Sequence, residues 1–129
     1  MDNRLLRERF SNRLQENVSL VNHTSSRVGG AAAFFVQETE LAIFESDIQW
    51  CWQHDIPFIV FGSGANILVG SAGLDLLVLQ NRCSQISLSG TAEAPLIHAE
   101  SGAAFIAVAR FAAQHSLAGL EWACAIPGT

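Results

Sequence analysis

Apolar residues first recur at helical spacing. Leu5, Leu6, Phe10 and Leu14 predict an amphipathic lead-in helix over residues 1–17, inside a lead-in unit spanning 1–20, with its Arg-rich side facing solvent. Asn22 to Gly30 is polar and ends in glycine, so it reads as a loop or an edge. Ala32 to Val36 closes on Phe34-Phe35-Val36 and predicts a short buried strand. Thr39 is placed to cap a helix on which Leu41, Phe44, Ile48 and Cys51 form one apolar stripe. His54-Asp55 and Pro57 stop that helix. The unbroken run Phe58-Ile59-Val60-Phe61 predicts a strand covered on both faces. Gly62-Ser63-Gly64-Ala65-Asn66 follows it directly, and then Ile67-Leu68-Val69. Gly70 and Gly73 mark a turn before a second buried strand at Leu76 to Leu79.

Beyond Arg82 the pattern changes. Gln85 to Ser89 and Leu96 to Glu100 alternate polar and apolar, which predicts an antiparallel pair around Gly90 to Pro95 with one side on a core. Phe105 to His115 is Ala-rich and helical, with Ile106, Ala109 and Ala113 on one side. Leu117 to Trp122 and Ile126-Pro127-Gly128-Thr129 complete the sequence. The organisation predicted is a lead-in helix (1–20), a first α/β unit (21–82) and a second unit (83–129), with the boundary near residues 80–84. Two strands and one helix are too few to close a sheet, and Pro-Gly-Thr is turn chemistry, so the sequence is expected to stop inside a domain.

Composition sharpens this picture. The 129 residues are 50% apolar and 15% charged, which excludes a disordered tail and leaves apolar surface for another domain or a ligand. All seven basic residues are Arg, against twelve acids, for a net charge of −5. Residues 1–27 carry five Arg and three acids; the remainder carries only Arg82 and Arg110 against nine acids. Such a body presents no phosphate-tracking basic face, which argues against nucleic acid as a partner. Cys51, Cys83 and Cys124 are scattered and read as buried thiols, with neither a disulfide framework nor a metal site. The charged N-terminus is no signal peptide, and the longest uncharged run contains Pro57 and four glycines. A soluble, cytoplasmic protein is expected.

The glycine loop is where chemistry concentrates. Gly62 and Gly64 allow left-handed backbone and close approach of main-chain N–H groups to an anion; Ser63 and Asn66 add side-chain donors. With no lysine, a phosphate here would be held by dipoles, which suits a diphosphate kept in place. A Walker loop needs Gly-Lys-Ser/Thr, and a dinucleotide fingerprint of the Rossmann kind needs a third glycine where Ile67 stands. A plain tight turn fits the same residues. His23, His54, His98 and His115 are scattered, and no Ser or Cys has a visible base partner. Trp50, Trp52 and Trp122 read as packing residues, Glu100 as a solvated strand end, and Arg27 and Arg82 as surface pairs.

Three ordered segments add a resemblance. Asn22-His23-Thr24-Ser25-Ser26-Arg27-Val28-Gly29-Gly30-Ala31-Ala32, Pro57 through Val69, and Gly119-Leu120-Glu121 with Ile126-Pro127-Gly128-Thr129 resemble the UDP-N-acetylenolpyruvoylglucosamine reductase (UDP-N-acetylmuramate dehydrogenase, MurB) family. Ala65 stands where that family usually has Ser, and Ala125 where it usually has Gly. The resemblance implies an α+β, two-subdomain FAD-binding fold of the p-cresol methylhydroxylase or vanillyl-alcohol oxidase type, its second subdomain truncated. It implies FAD as cofactor, with Gly62, Ser63, Gly64, Ala65, Asn66 and Ile67 cradling the diphosphate. Ile126, Pro127, Gly128 and Thr129 would begin a second flavin loop. The implied reaction is hydride transfer from NADPH to the flavin and on to an enolpyruvyl double bond, with a proton from a serine, in peptidoglycan synthesis. The family's catalytic Arg, Ser and Glu lie beyond its Ile-Pro-Gly-Thr segment and have no counterpart here, nor does the following Val-Gly-Gly. No catalytic residue is therefore assigned. The expectation is an N-terminal FAD-binding portion without reductase activity of its own, meeting a UDP-sugar only together with a C-terminal part. Two alternatives remain: the FAD domain of another oxidase or dehydrogenase of this fold, and a non-enzymatic partner-binding α/β module.

Overall fold

The computed structural model describes residues 3–129; the first two positions of the expected lead-in helix lie outside the described residues. Helix α1 (Asn3–Phe10) buries Leu6 and Phe10, one turn apart on one face. It ends earlier than its apolar spacing predicts. Ser11–Arg13 form a 3-10 turn, and Gln15–Ser19 form strand β1 rather than helix. Within β1 only Val18 is even half-buried, so a period of two leaves almost no trace in the sequence; pairing with a neighbouring strand decides its conformation. That neighbour is β2 (Ala31–Glu38), antiparallel to β1 with Gln15 opposite Phe35 and Val18 opposite Ala32. The lead-in segment is thus part of the first sheet, and a unit of residues 1–20 does not stand apart from it.

Helix α2 (Leu41–Gln53) crosses from β2 to β3 (Phe58–Phe61), and β4 (Leu74–Asn81) lies between those two strands. The sheet order is β1-β2-β4-β3, with β4 parallel to both neighbours. Glu40, not Thr39, occupies the cap position of α2, and no side chain caps it. Phe44 and Cys51 are buried along the expected stripe, while Leu41 lies at the surface. The edge position of β3 overturns its expected two-sided coverage: Ile59 and Val60 are exposed. Four apolar residues in a row do not distinguish an edge from a centre. β4 is central, with Leu77 through Asn81 buried.

Alternation along the strands divides the core between the two faces of the sheet. Leu77 and Leu79 join Leu6, Phe10, Phe34, Val36, Phe44 and Cys51 on one side. Val78 joins Leu20, Phe35, Phe61 and Val69 on the other. Period two puts Gln80 on the Val78 face.

The Arg side of the N-terminal segment is only partly solvated. Arg4–Glu8 and Arg7–Glu16 are exposed pairs. Arg9 and Arg13, by contrast, reach the fully buried Asp47, at 2.8 and 2.7 Å, and Arg13 also pairs with buried Glu38. A charge buried without a partner is expensive, so these two arginines tie the N-terminal segment to α2 and β2.

A second sheet holds β5 (Ile86–Gly90) and β6 (Pro95–Ala99), an antiparallel hairpin as expected. Both of its faces are largely exposed, so the expected core-facing side is not covered among the described residues. Helix α3 (Phe105–Gln114) buries Ala109 and Ala112, whereas Ala113 is exposed. A 3-10 turn, Glu121–Ala125, packs against α3, with Trp122 edge-on to Phe105 at 5.5 Å. Trp52 and Trp122 are otherwise exposed, so of the expected core or interface packing neither supplies core, and Trp50 is half-buried beneath Arg9. Cys51 and Cys83 are buried, but Cys124 is not. No described helix is long and apolar enough to cross a membrane.

Candidate functional site

The glycine loop leaves the end of edge strand β3 and turns over the Val78 face of the sheet. It is one wall of a cleft of about 140 Å³, lined by residues 60–67 together with Gly128 and Thr129. The structure therefore brings Gly62, Ser63, Gly64, Ala65, Asn66 and Ile67 together with two of the four C-terminal site residues. Ile126 and Pro127 are exposed and lie outside that lining.

Each side of the cleft is fixed by named bonds. Gly128 accepts from the Phe105 N–H at 3.1 Å, so the start of α3 anchors the second wall. At Gly128 φ is +121°, a region that favours glycine. Gly62 lacks the Cβ that would collide with the Thr129 hydroxyl, so Thr129 closes against the loop. The Asn66 carboxamide lies 3.2 Å from where a Cβ on Gly128 would sit.

Gly64 is needed for a different reason from the one its sequence context suggests. Its φ is +71°, and a Cβ there would run into the His23 carbonyl and approach Thr24 Cα at 3.0 Å. The side of Gly64 that must stay bare faces the 23–25 segment, not the cleft. The Gly64 carbonyl accepts from the Ser25 N–H at 3.0 Å. Thr24 is buried and donates its hydroxyl to the Val28 carbonyl at 3.2 Å. The Asn22–Gly30 segment is thus the floor on which the glycine loop rests.

Sequence reasoning missed two residues at this site. Gln80, fully buried, donates its Nε2 to the Gly62 carbonyl at 3.2 Å. His23 lies 3.0 Å from Gln80 Oε1 through its Nδ1 and packs on Phe35 with ring centroids 4.4 Å apart. The signal available was Gln80 itself, a polar residue continuing the apolar run Leu76–Leu79.

Among the described residues, no protein acceptor takes the N–H groups of Ser63, Gly64, Ala65 or Asn66. No side chain lining the cleft is charged. The arrangement offers unclaimed main-chain donors beside a hydroxyl and a carboxamide, which is chemistry for holding an anion by dipoles. The other singled-out residues lie elsewhere. His54 and His115 end α2 and α3, each with Nδ1 within 2.9 Å of a carbonyl of the last helical turn, and Glu100 accepts the Gln85 N–H. Burial pushes the Cys51 thiol up to about 11 and raises that of Cys83, so neither is a nucleophile at neutral pH. No cluster of three metal-ligating side chains occurs among the described residues.

Residues 32–129 match the family described as FAD binding domain. Curated relatives include the UDP-N-acetylenolpyruvoylglucosamine reductase of Exiguobacterium sibiricum, 36% identical over 88% of this chain and 36% of the relative. UDP-N-acetylenolpyruvoylglucosamine reductase 2 of Bacillus cereus is 35% identical over 90% of this chain and 37% of the relative. The reductase of Gloeobacter violaceus is 34% identical over 93% and 40%. The chain spans between a third and two-fifths of the length of these relatives.

Proposed function

We propose, for a chain that belongs to the FAD-binding domain family, that the cleft between residues 62–67 and 128–129 holds the diphosphate of FAD. The further proposal is that the chain is the FAD-binding part of a cytoplasmic UDP-N-acetylenolpyruvoylglucosamine reductase, as the names of the three relatives suggest. The observation that carries the first reading is the run of main-chain N–H groups from Ser63 to Asn66 with no protein acceptor, set at the mouth of an uncharged cleft.

FAD, when bound, supplies hydride-transfer chemistry that no side chain here provides. The chain's own residues bind and orient. Ser63, Gly64, Ala65 and Asn66 offer amide donors, and the Ser63 hydroxyl and Asn66 carboxamide add side-chain donors. Thr129 stands on the opposite wall of the cleft. Because these groups are neutral and fixed, they hold an anion without transferring a proton to it. Reduction of a sugar substrate by NADPH is proposed for the whole protein and is not assigned to any residue of this chain.

Titration with FAD, FMN and riboflavin, followed by flavin fluorescence, tests the reading. FAD should bind most tightly, and ADP should compete with it. Equal affinity for FAD and riboflavin would show that the diphosphate contributes nothing.

A further inference from the structure

We infer that Gln80, oriented by His23, is a positioning residue that turns the Ser63 amide into the cleft. The inference rests on the proposed reading of residues 62–67 as a diphosphate loop and names what sets that loop's polarity. In a trans peptide the carbonyl and the following N–H point in opposite directions, and no cis peptide occurs among the described residues. The Gly62 carbonyl points inward, because Gln80 Nε2 donates to it at 3.2 Å. The Ser63 N–H, in the same plane, must then point away from the sheet. The same rule applies two residues on. The Gly64 carbonyl is held by the Ser25 N–H at 3.0 Å, so the Ala65 N–H also points outward. The Gly62 carbonyl is tethered to Gln80 on β4 and the Gly64 carbonyl to Ser25 in the floor segment, and the amide after each is presented.

The Gln80 tether has only one workable orientation. The Gly62 carbonyl can only accept, so the amide nitrogen of Gln80 must face it. Oε1 then faces His23 Nδ1 at 3.0 Å, and that nitrogen must carry a proton. His23 is held in turn by its ring contact with Phe35 in the core. Gln80 has no exposed surface, so its own amide meets no solvent and depends on these two bonds. A buried Gln directly after the apolar run Leu76–Leu79 is a cost to folding unless it is used, and the loop carbonyl is its use.

The test compares two variants with the unaltered chain. Gln80→Met keeps length and bulk while removing both bonds. His23→Phe keeps the ring on Phe35 while removing the donor that orients Gln80. FAD affinity should fall roughly tenfold for Gln80→Met, the value of one buried hydrogen bond. Riboflavin affinity should stay within about twofold, since riboflavin has no phosphate to meet the loop. His23→Phe should fall between. In the ligand-free chain, the Ser63 amide should change chemical shift and hydrogen-exchange rate in both variants, a response that simple destabilisation confined elsewhere does not produce. If Gln80→Met does not fold by circular dichroism, His23→Phe carries the comparison. Variants that keep the full preference for FAD over riboflavin, or lose both ligands equally, overturn the positioning role. A wild-type chain with no such preference overturns the diphosphate reading first, and this inference with it.

Discussion

Gly64→Ala is the substitution whose effect can be worked out most fully. The residue sits at φ +71°, where a side chain costs about 1–2 kcal/mol. The new Cβ would also meet the His23 carbonyl, with Thr24 Cα 3.0 Å away. Both obstacles are backbone, so rotation of a side chain cannot relieve them. Relief requires the loop to lift from the 23–25 segment, which breaks the Ser25 N–H to Gly64 carbonyl bond, worth about 1 kcal/mol. The combined effect is about 2–3 kcal/mol against the loop's present conformation. If only that conformation holds a diphosphate, FAD affinity falls by between about 30-fold and 150-fold. Two glycines serve as controls. Gly119 has φ +107° but nothing within 4 Å of a Cβ, so Gly119→Ala isolates the dihedral cost. Gly70 has neither strain nor neighbour, and Gly70→Ala should be silent. Urea denaturation would report the folding contribution and flavin fluorescence the binding contribution. Gly64→Ala behaving like Gly70→Ala in both would refute the reasoning.

Four further outcomes are expected. Arg13→Met strands buried Glu38 and leaves buried Asp47 with Arg9 alone, and because Arg13 is itself partly exposed the loss should be about 2–4 kcal/mol in denaturant titration; Arg4→Ala, in a pair with both partners at the surface, should cost less than about 1 kcal/mol. At pH 8, iodoacetamide should label Cys124 in the native chain and spare Cys51 and Cys83 until denaturant is added. The Cys51 thiol is raised by burial from 9.0 to about 11, so its folded form keeps a proton the unfolded chain releases; the stability it contributes is full below pH 9 and lost as pH rises through 11, and Cys51→Val should flatten that decline. In hydrogen exchange, residues 86–99 should be less protected than 31–38 and 74–81, because the hairpin is exposed on both faces and a cleft of about 440 Å³ lies between β6 and α3; equal protection would contradict this.

How much was legible depended on whether local pattern and tertiary role agreed. The helical stripe through Phe44 and Cys51 and the buried strand through Leu79 bury what their own spacing predicts, whereas the hairpin around Gly90 forms as predicted but leaves its apolar side exposed, as does Leu41 at the start of the stripe. Gln15–Ser19 failed because its strand state is set by β2 and only Val18 turns inward. The edge position of β3 was hidden because Ile59 and Val60 are apolar yet exposed. The glycine loop was legible as a candidate, since glycine and position after a strand are local signals. Its supports were not. Gln80 and His23 are far apart in sequence, and only the sheet that carries Gln80 beneath the loop brings them together. The role of Gly64 was legible in kind but not in direction, because the backbone it approaches belongs to a segment some forty residues earlier. Asp47 was unreadable as a buried acid, since its partners Arg9 and Arg13 looked like a solvated face.

The cleft is closed on one wall by a loop of the four-stranded sheet and on the other by the segment anchored to α3. A molecule seated there acts as a staple between parts of the chain that otherwise share few contacts. Its occupancy then adds to resistance against unfolding and proteolysis in proportion to the logarithm of free ligand over the dissociation constant. Cellular supply of the dinucleotide would thereby govern how long the polypeptide survives, apart from any turnover it supports.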